Sequence, residues 1–392
     1  MVNLHDFAKD KEVKALATAA LDWITVTGAL KYRHGIWGGP TKRDYNHPEN
    51  FGGSAAMLFW LWFGDAVNKP THFESDEVHL ITSSYRPPLQ AVDLVRKKGL
   101  TGKTIYFCKP GLESWNDYET HKPVFRETHY FGESYQLGTL LRGTQNPDIN
   151  GFKLLLDHPQ RGADAIVVAP CKDPTKLGSP VHKSDLLAPH SAVGQNRNLA
   201  IYLTAPSDLP YHFWLPHDAE MIGFAGGTAD GAFTLRSGSS TVALWPINIM
   251  WHYSQPANDA FHASGKKKPR WPHLMLLAGK QRQEGIAYGF VMEVAHTPDD
   301  TSAKAFRDAV AKLGPDLKEL KARSAVTMTG TEGQRLRLQW GNTPGAIKVW
   351  ADGKDSPFND PAKAFVFESD VLQQAWHGME LKHLPSKRAW KP

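Results

Sequence analysis

Between Asp10 and Leu30 the chain reads DKEVKALATAALDWITVTGAL, in which Val13, Leu16, Ala17, Ala20, Leu21 and Ile24 recur at helical spacing. The pattern predicts an amphipathic helix, with Asp10 and Glu12 placed favourably at its positive end. A polar, glycine-rich loop follows, GIWGGPTKRDYNHPENFGG. The next run, SAAMLFWLWFG, is apolar on every side and predicts a buried helix ended by Gly64. Beyond a stretch rich in His and Asp, Pro87 and Pro88 open a third helical segment, LQAVDLVRKKG, with Gly99 as its stop. Residues 1–100 are therefore read as a helical segment.

From TIYFCKP onward the texture changes to short β-rich runs separated by Gly, Pro, Asn and Asp. Examples are ETHYFGESYQLGTLL, GFKLLLDH, ADAIVVAP, NLAIYLTA, YHFWLP, AFTLRSGSSTVALW, IAYGFVMEVAH and AFVFESDV. Many short strands with turn signals between them predict a large antiparallel sandwich over residues 101–392 rather than βαβ units. One helix interrupts it near 302–313, SAKAFRDAVAKLG, with Ser302 read as N-cap and Gly314 as stop. Lys318 to Arg323 reads as a solvated helix face. The fold class expected is thus α+β, with few helices before a β-sandwich.

Composition narrows the function classes only a little. The chain has 392 residues, 41% of them hydrophobic and 22% charged, which is ordinary for a folded globular protein. Lys and Arg number 45 against 40 Asp and Glu, a formal charge of +5 that suits an anionic partner without demanding one. The basic runs are short and scattered and no nucleic-acid reading motif is present, so nucleic acid is not expected as a partner. Thirteen Trp residues are many, and indole faces fill cores or stack on sugar rings. Two cysteines, Cys108 and Cys171, make neither a disulfide scaffold nor a zinc site. The start, MVNLHDFAKDKEV, lacks the apolar core of an export signal. The longest apolar run, near AAMLFWLWFG, is too short to cross a bilayer, so no membrane association is expected. An exported form would carry its signal on a longer chain.

The familiar short signatures fail. VRKKGLTGKT ends like a phosphate loop, but Lys97 stands where the leading Gly belongs, and a helix precedes while a strand follows. There is no GxSxG, HExxH, GxGxxG or CxxC. His212 and His217 flank FWLP without metal-ligand spacing and read as core or surface residues. No metal or other cofactor is expected.

What remains is the loop after the first helix, where Arg43, Tyr45, Asn46 and His47 stand together. Removing the weakly acidic proton beside a carboxylate, as in β-elimination of a uronate, needs a cation or donors on that carboxylate. It also needs a base for the proton and an acid for the leaving oxygen, tasks that suit Tyr and His. These residues supply every type required, and Arg43 would lower the pKa of a neighbouring Tyr. The plainer account is a local Arg43–Asp44 salt bridge, a turn at Asn46 and His47 before Pro48, and a packed Tyr45.

The run from DKEVKALATAALDW through GIWGGPTKRDY and WLWFG to SSYRPPLQAVDLVRKKG resembles the last helices of an (α/α) toroid. RETHYFGESYQLGT resembles the first strands of the sandwich that follows it in polysaccharide lyases of the heparinase II/III and alginate-lyase type. The resemblance implies β-elimination on an acidic polysaccharide, in a cleft between helices and sandwich. It implies that Asn46 and His47 face the substrate carboxylate and that Tyr45 or Tyr85 is the catalytic Tyr. From the sandwich, His129 and Tyr135 are the candidates, with Arg142 to hold an acidic sugar and Trp37 to stack on a ring. Two rival readings are a glycoside hydrolase, drawing its carboxylates from Asp44, Glu49, Glu127 and Glu133, and a non-catalytic carbohydrate-binding or structural protein.

Overall fold

The structure is a computed structural model that describes residues 1–42, 53–64, 77–110, 123–141, 149–160, 162–170, 191–207, 209–216, 218–227, 231–252, 259, 274–341 and 346–359. Among the described residues, five helices precede the strands of the sandwich: α1 (Val2–Phe7), α2 (Lys11–Lys31), α3 (Gly53–Phe63), α4 (Glu77–Thr82) and α5 (Leu89–Val95). Asp10 caps α2 by accepting from the amides of Glu12 and Val13. Pro88 sits at the N-cap of α5, and that helix stops at Val95, earlier than Gly99. Within the N-terminal region lie two short strands the sequence pattern did not announce, β1 (Tyr32–Arg33) and β2 (Ile36–Trp37). Their two-residue turn, His34-Gly35, has φ of 48° and 81°, the doubly positive geometry that suits a tight hairpin.

The strands that follow are β3 (Thr41–Lys42), β4 (Thr104–Pro110), β5 (Pro123–Phe131), β6 (Tyr135–Leu140), β7 (Ile149–Asn150), β8 (Phe152–His158) and β9 (Gly162–Pro170). Next come β10 (Ser191–Asn196), β11 (Leu199–Thr204), β12 (Tyr211–Pro216), β13 (Glu220–Phe224), β14 (Phe233–Ser237) and β15 (Ser240–Ile247). The series closes with β16 (Ile249–His252), β17 (Leu274–Gln281), β18 (Tyr288–His296), β19 (Ala325–Thr329), β20 (Arg335–Gln339), β21 (Lys348–Ala351) and β22 (Lys354–Asp355). All pairings among them are antiparallel. The inserted helix, α6, spans Asp300–Val310; Asp299 is its N-cap and Ser302 completes a capping box three residues on. A short α7 covers Leu320–Arg323.

Two large sheets face each other. One has eight strands in the order β16-β17-β12-β9-β8-β6-β5-β4, the other six in the order β10-β11-β18-β15-β14-β13. Alternate residues of both, including Tyr135, Phe152, Leu154, Phe213, Leu244 and Phe290, interdigitate as the central core. The outer side of the six-stranded sheet is covered by a four-stranded sheet, β19-β20-β21-β22, together with α6 and α7, around Trp245, Val291, Phe306 and Leu338. The helical layer lies on the outer side of the eight-stranded sheet. Val26, Ala29 and Leu30 of α2, Phe59 of α3 and Leu94 of α5 share a core there with Ile105 of β4 and Phe131 of β5. The chain is therefore α+β, few helices against several antiparallel sheets.

By length and composition α2 would be apolar enough to cross a membrane. Here its C-terminal part, Thr25 to Lys31, is largely packed inside the protein. The outward side of the helical layer leaves Phe7, Val78, Ile81 and Leu89 exposed.

Candidate functional site

The candidate site lies where α2 meets the eight-stranded sheet. Strand alternation decides which side chains reach it. In β5, β6 and β8 the residues Tyr130, Tyr135, Leu137, Phe152, Leu154 and Leu156 belong to the central core. Their neighbours Glu127, His129, Gln136, Gly138 and Lys153 must then face the helices. Register aligns His129 with Gly138, and Gly138 with Lys153, across three strands. A second row brings His212 beside Ala169 on the same face.

The end of α2 comes down on this polar face. Lys31 is buried and its Nζ lies 2.7 Å from Glu127 Oε2. The same ammonium donates to the carbonyl of Pro40 at 2.8 Å. His129, 1% exposed, brings Nε2 to 3.2 Å from Glu127 Oε2. Gln136 donates from Nε2 to the Leu30 carbonyl at 2.9 Å. Lys97 reaches back from the end of α5 to donate to the carbonyls of Ala29 and Leu30, at 3.0 and 2.7 Å. It thereby satisfies the last turn of α2. Burial presses the Lys97 amine well below the ordinary lysine range.

Glycine makes the approach possible. A Cβ on Gly138 would overlap the carbonyl of Gly39, and one on Gly39 would sit 2.5 Å from Lys153 Cβ. The Gly38-Gly39-Pro40 turn thus rests backbone to backbone on the sheet between His129 and Lys153. From there Thr41 and Lys42 pair with Asn150 and Ile149. A second clamp stands nearby: Arg33, 5% exposed, holds Asp157 of β8 with two bonds of 2.6 Å and donates to the Glu133 carbonyl at 3.1 Å.

The expected site residues fall in three groups. Arg43, Tyr45, Asn46, His47 and Arg142 lie outside the described residues, as do Asp44 and Glu49. His129 belongs to the buried cluster just built. Trp37, Tyr85 and Tyr135 are elsewhere. Trp37 sets its ring edge-on to Phe59 at 4.9 Å and packs under Gly28, inside the helical layer. Tyr85 is 3% exposed; its hydroxyl donates to Asp22 at 2.9 Å and lies 3.1 Å from Thr25 Oγ1. Burial raises the Tyr85 hydroxyl pKa, with the Asp22 charge adding to the rise, the opposite of what a base requires. Tyr135 points into the central core beside Tyr130, on the opposite face of the sheet from His129, and burial raises its pKa as well. The two sandwich candidates are therefore not brought together. Of the carboxylates weighed for hydrolysis, Glu127 is bound to Lys31 in mid-strand, while Glu133 sits in the β5–β6 turn 3.2 Å from His296 Nε2.

Lys31, Lys153 and the Arg33–Asp157 pair were missed. Their signal in the sequence is faint: a lone charge inside an apolar run, as in GFKLLLDH, or alternating Glu and His in FRETHYF.

Among the described residues one group has the composition of a metal centre: His158, Asp164 and Asp218 bring their ligand atoms within 4.8 Å of one another. The hydrogen bonds oppose that use. His158 Nδ1 accepts from the Gln160 amide at 3.1 Å, so the ring proton resides on Nε2, which faces Asp218 at 2.9 Å. A metal-binding imidazole needs the reverse arrangement, with its far nitrogen donating. His158 is instead held between the Gln160 amide and the Asp218 carboxylate.

No known protein family matches the chain, and no curated protein sequence matches it.

Proposed function

We propose that the protein is a carbon–oxygen lyase, or a relative of one, that cleaves an acidic, uronate-containing polysaccharide by β-elimination. The supporting observation is the polar face of the eight-stranded sheet. Glu127, His129, Lys153 and His212 share the side turned to the helices, and the GIWGGP turn that leads to Arg43 and His47 rests directly on it. In this reading the helical layer corresponds to the last helices of an (α/α) toroid. Arg43 and Asn46 neutralise the substrate carboxylate, Tyr45 and His47 exchange the protons, and the Lys31–Glu127–His129 cluster fixes the loop's point of departure. Tyr45 is favoured over Tyr85 because the Tyr85 hydroxyl is committed to Asp22 and costly to ionise.

The other reading, a non-catalytic carbohydrate-binding or structural protein, draws on the internal satisfaction of Tyr85 and the burial of Tyr135 and His129. Incubation with alginate, heparinoid and glucuronan separates the two. A lyase generates unsaturated ends that absorb in the ultraviolet, and Tyr45→Phe and His47→Ala abolish the signal. Saturated ends would indicate hydrolysis instead, and binding without turnover, retained in both variants, would leave only the second reading.

A further inference from the structure

A carboxyl group unused by that chemistry lies on the far side of the molecule. Glu293 of β18 is 0% exposed, and the tip of the β19–β20 hairpin, Gly330 to Gln334, is fastened to it. Its Oε1 accepts from the Thr331 amide at 2.8 Å, the Thr331 hydroxyl at 2.6 Å and Gln334 Nε2 at 3.0 Å. Its Oε2 meets no donor among the described residues. Gln334, itself 0% exposed, also donates to Asn198 Oδ1 at 2.7 Å, and Asn198 donates to the Val294 carbonyl at 2.9 Å. Within the tip, the Gly330 amide donates to the Gln334 carbonyl and the Glu332 amide to Gln334 Oε1.

We propose that this hairpin tip is a proton-operated latch, which seats most firmly on neutral Glu293 and loosens as that acid ionises. An ionised Glu293 would hold half its charge on a buried oxygen that meets no donor among the described residues, whereas a buried neutral hydroxyl is far less costly. The surrounding charges point the same way. Glu332, on the tip, is a like charge, only partly answered by Arg197 of the β10–β11 turn at 3.4 Å. From β6 comes Tyr135, whose hydroxyl is raised in part by Glu293, and beside it Tyr130 of β5. Burial, first, and then Glu332 hold the Glu293 carboxyl above its ordinary value of 4.5, against the pull of the Thr331 and Gln334 bonds.

The sign follows by linkage. Docking raises the proton affinity, so the extra docking stability is complete below the ordinary carboxyl value and is lost as pH rises through the docked one. The latch therefore tightens in acid and relaxes toward neutrality. It joins the small C-terminal sheet to the sandwich and is independent of any glycan chemistry.

Amide exchange of the intact chain, corrected for intrinsic rates, tests this. Protection of the Thr331 amide should fall by about tenfold between about pH 4.5 and about pH 7.5. Glu293→Gln should hold that protection constant with pH, and Glu332→Gln should keep a pH dependence of the same sign. Constant protection in the natural chain would overturn the proposal, as would a dependence that survives in Glu293→Gln. Should Glu293→Gln not fold, the Glu332→Gln variant decides: a dependence that vanishes there assigns the effect to Glu332 and removes the latch.

Discussion

The eight-stranded sheet has two faces built from alternate residues of the same strands, and they are held together by different physics. Toward the six-stranded sheet, Tyr135, Leu137, Phe152, Leu154 and Phe213 pack as aromatic and aliphatic core. Toward the helices, Glu127 pairs with Lys31 and His129, Gln136 donates a hydrogen bond to the Leu30 carbonyl, and Gly138 and Lys153 lie against the Gly39 backbone. Both faces are buried, but only the apolar one gains its stability mainly from leaving water. The polar face is weaker as a source of stability and more exacting in geometry, because each charge must keep its partner. That is the character expected of a surface that fixes a loop in place.

The largest break in this contrast should come from Glu127→Ala, which strips the carboxylate from buried Lys31 and His129. We expect a loss of about 3–5 kcal/mol in denaturant unfolding. The paired replacement Lys31→Met with Glu127→Leu removes the charges together and should recover most of that loss. If it restores stability yet abolishes uronate cleavage, the cluster serves the site rather than the fold. Gly138→Ala sharpens the comparison at the backbone contact. Its methyl group has no space against the Gly39 carbonyl, and a cost of about 1–3 kcal/mol is expected. The smallest effect, about 1 kcal/mol, belongs to Tyr85→Phe, which takes the donor from half-buried Asp22.

What could be read from the chain was whatever repeats locally. The apolar spacing from Val13 to Ile24 announced α2, and short β-rich runs announced most strands of both sheets. β10 was overlooked because SAVGQN is poor in β-branched and aromatic residues, and its place is set by pairing with β11. Ser302 reads as a cap because Asp299 and Ser302 fill two positions of one capping box, of which Asp299 is the N-cap. The buried cluster was beyond reach for another reason: Lys31 and Glu127 sit far apart in sequence, and no local rule pairs them. His129 stands out in its strand by chemistry, but what ties it to the helices is its neighbour Glu127, which also holds Lys31.

The long span of those contacts also sets an order of assembly. Lys31 meets Glu127, Arg33 meets Asp157, and Thr41 pairs with Asn150, so closing each contact requires a large loop to be drawn in first. Helix α2 and its hairpin can form as soon as they are made. They cannot find their seat until β5 to β8 have been synthesised and paired. A nascent chain therefore carries AAMLFWLWF unsheltered while residues 64–158 are made, roughly a quarter of its synthesis and the interval in which a holding chaperone would matter most.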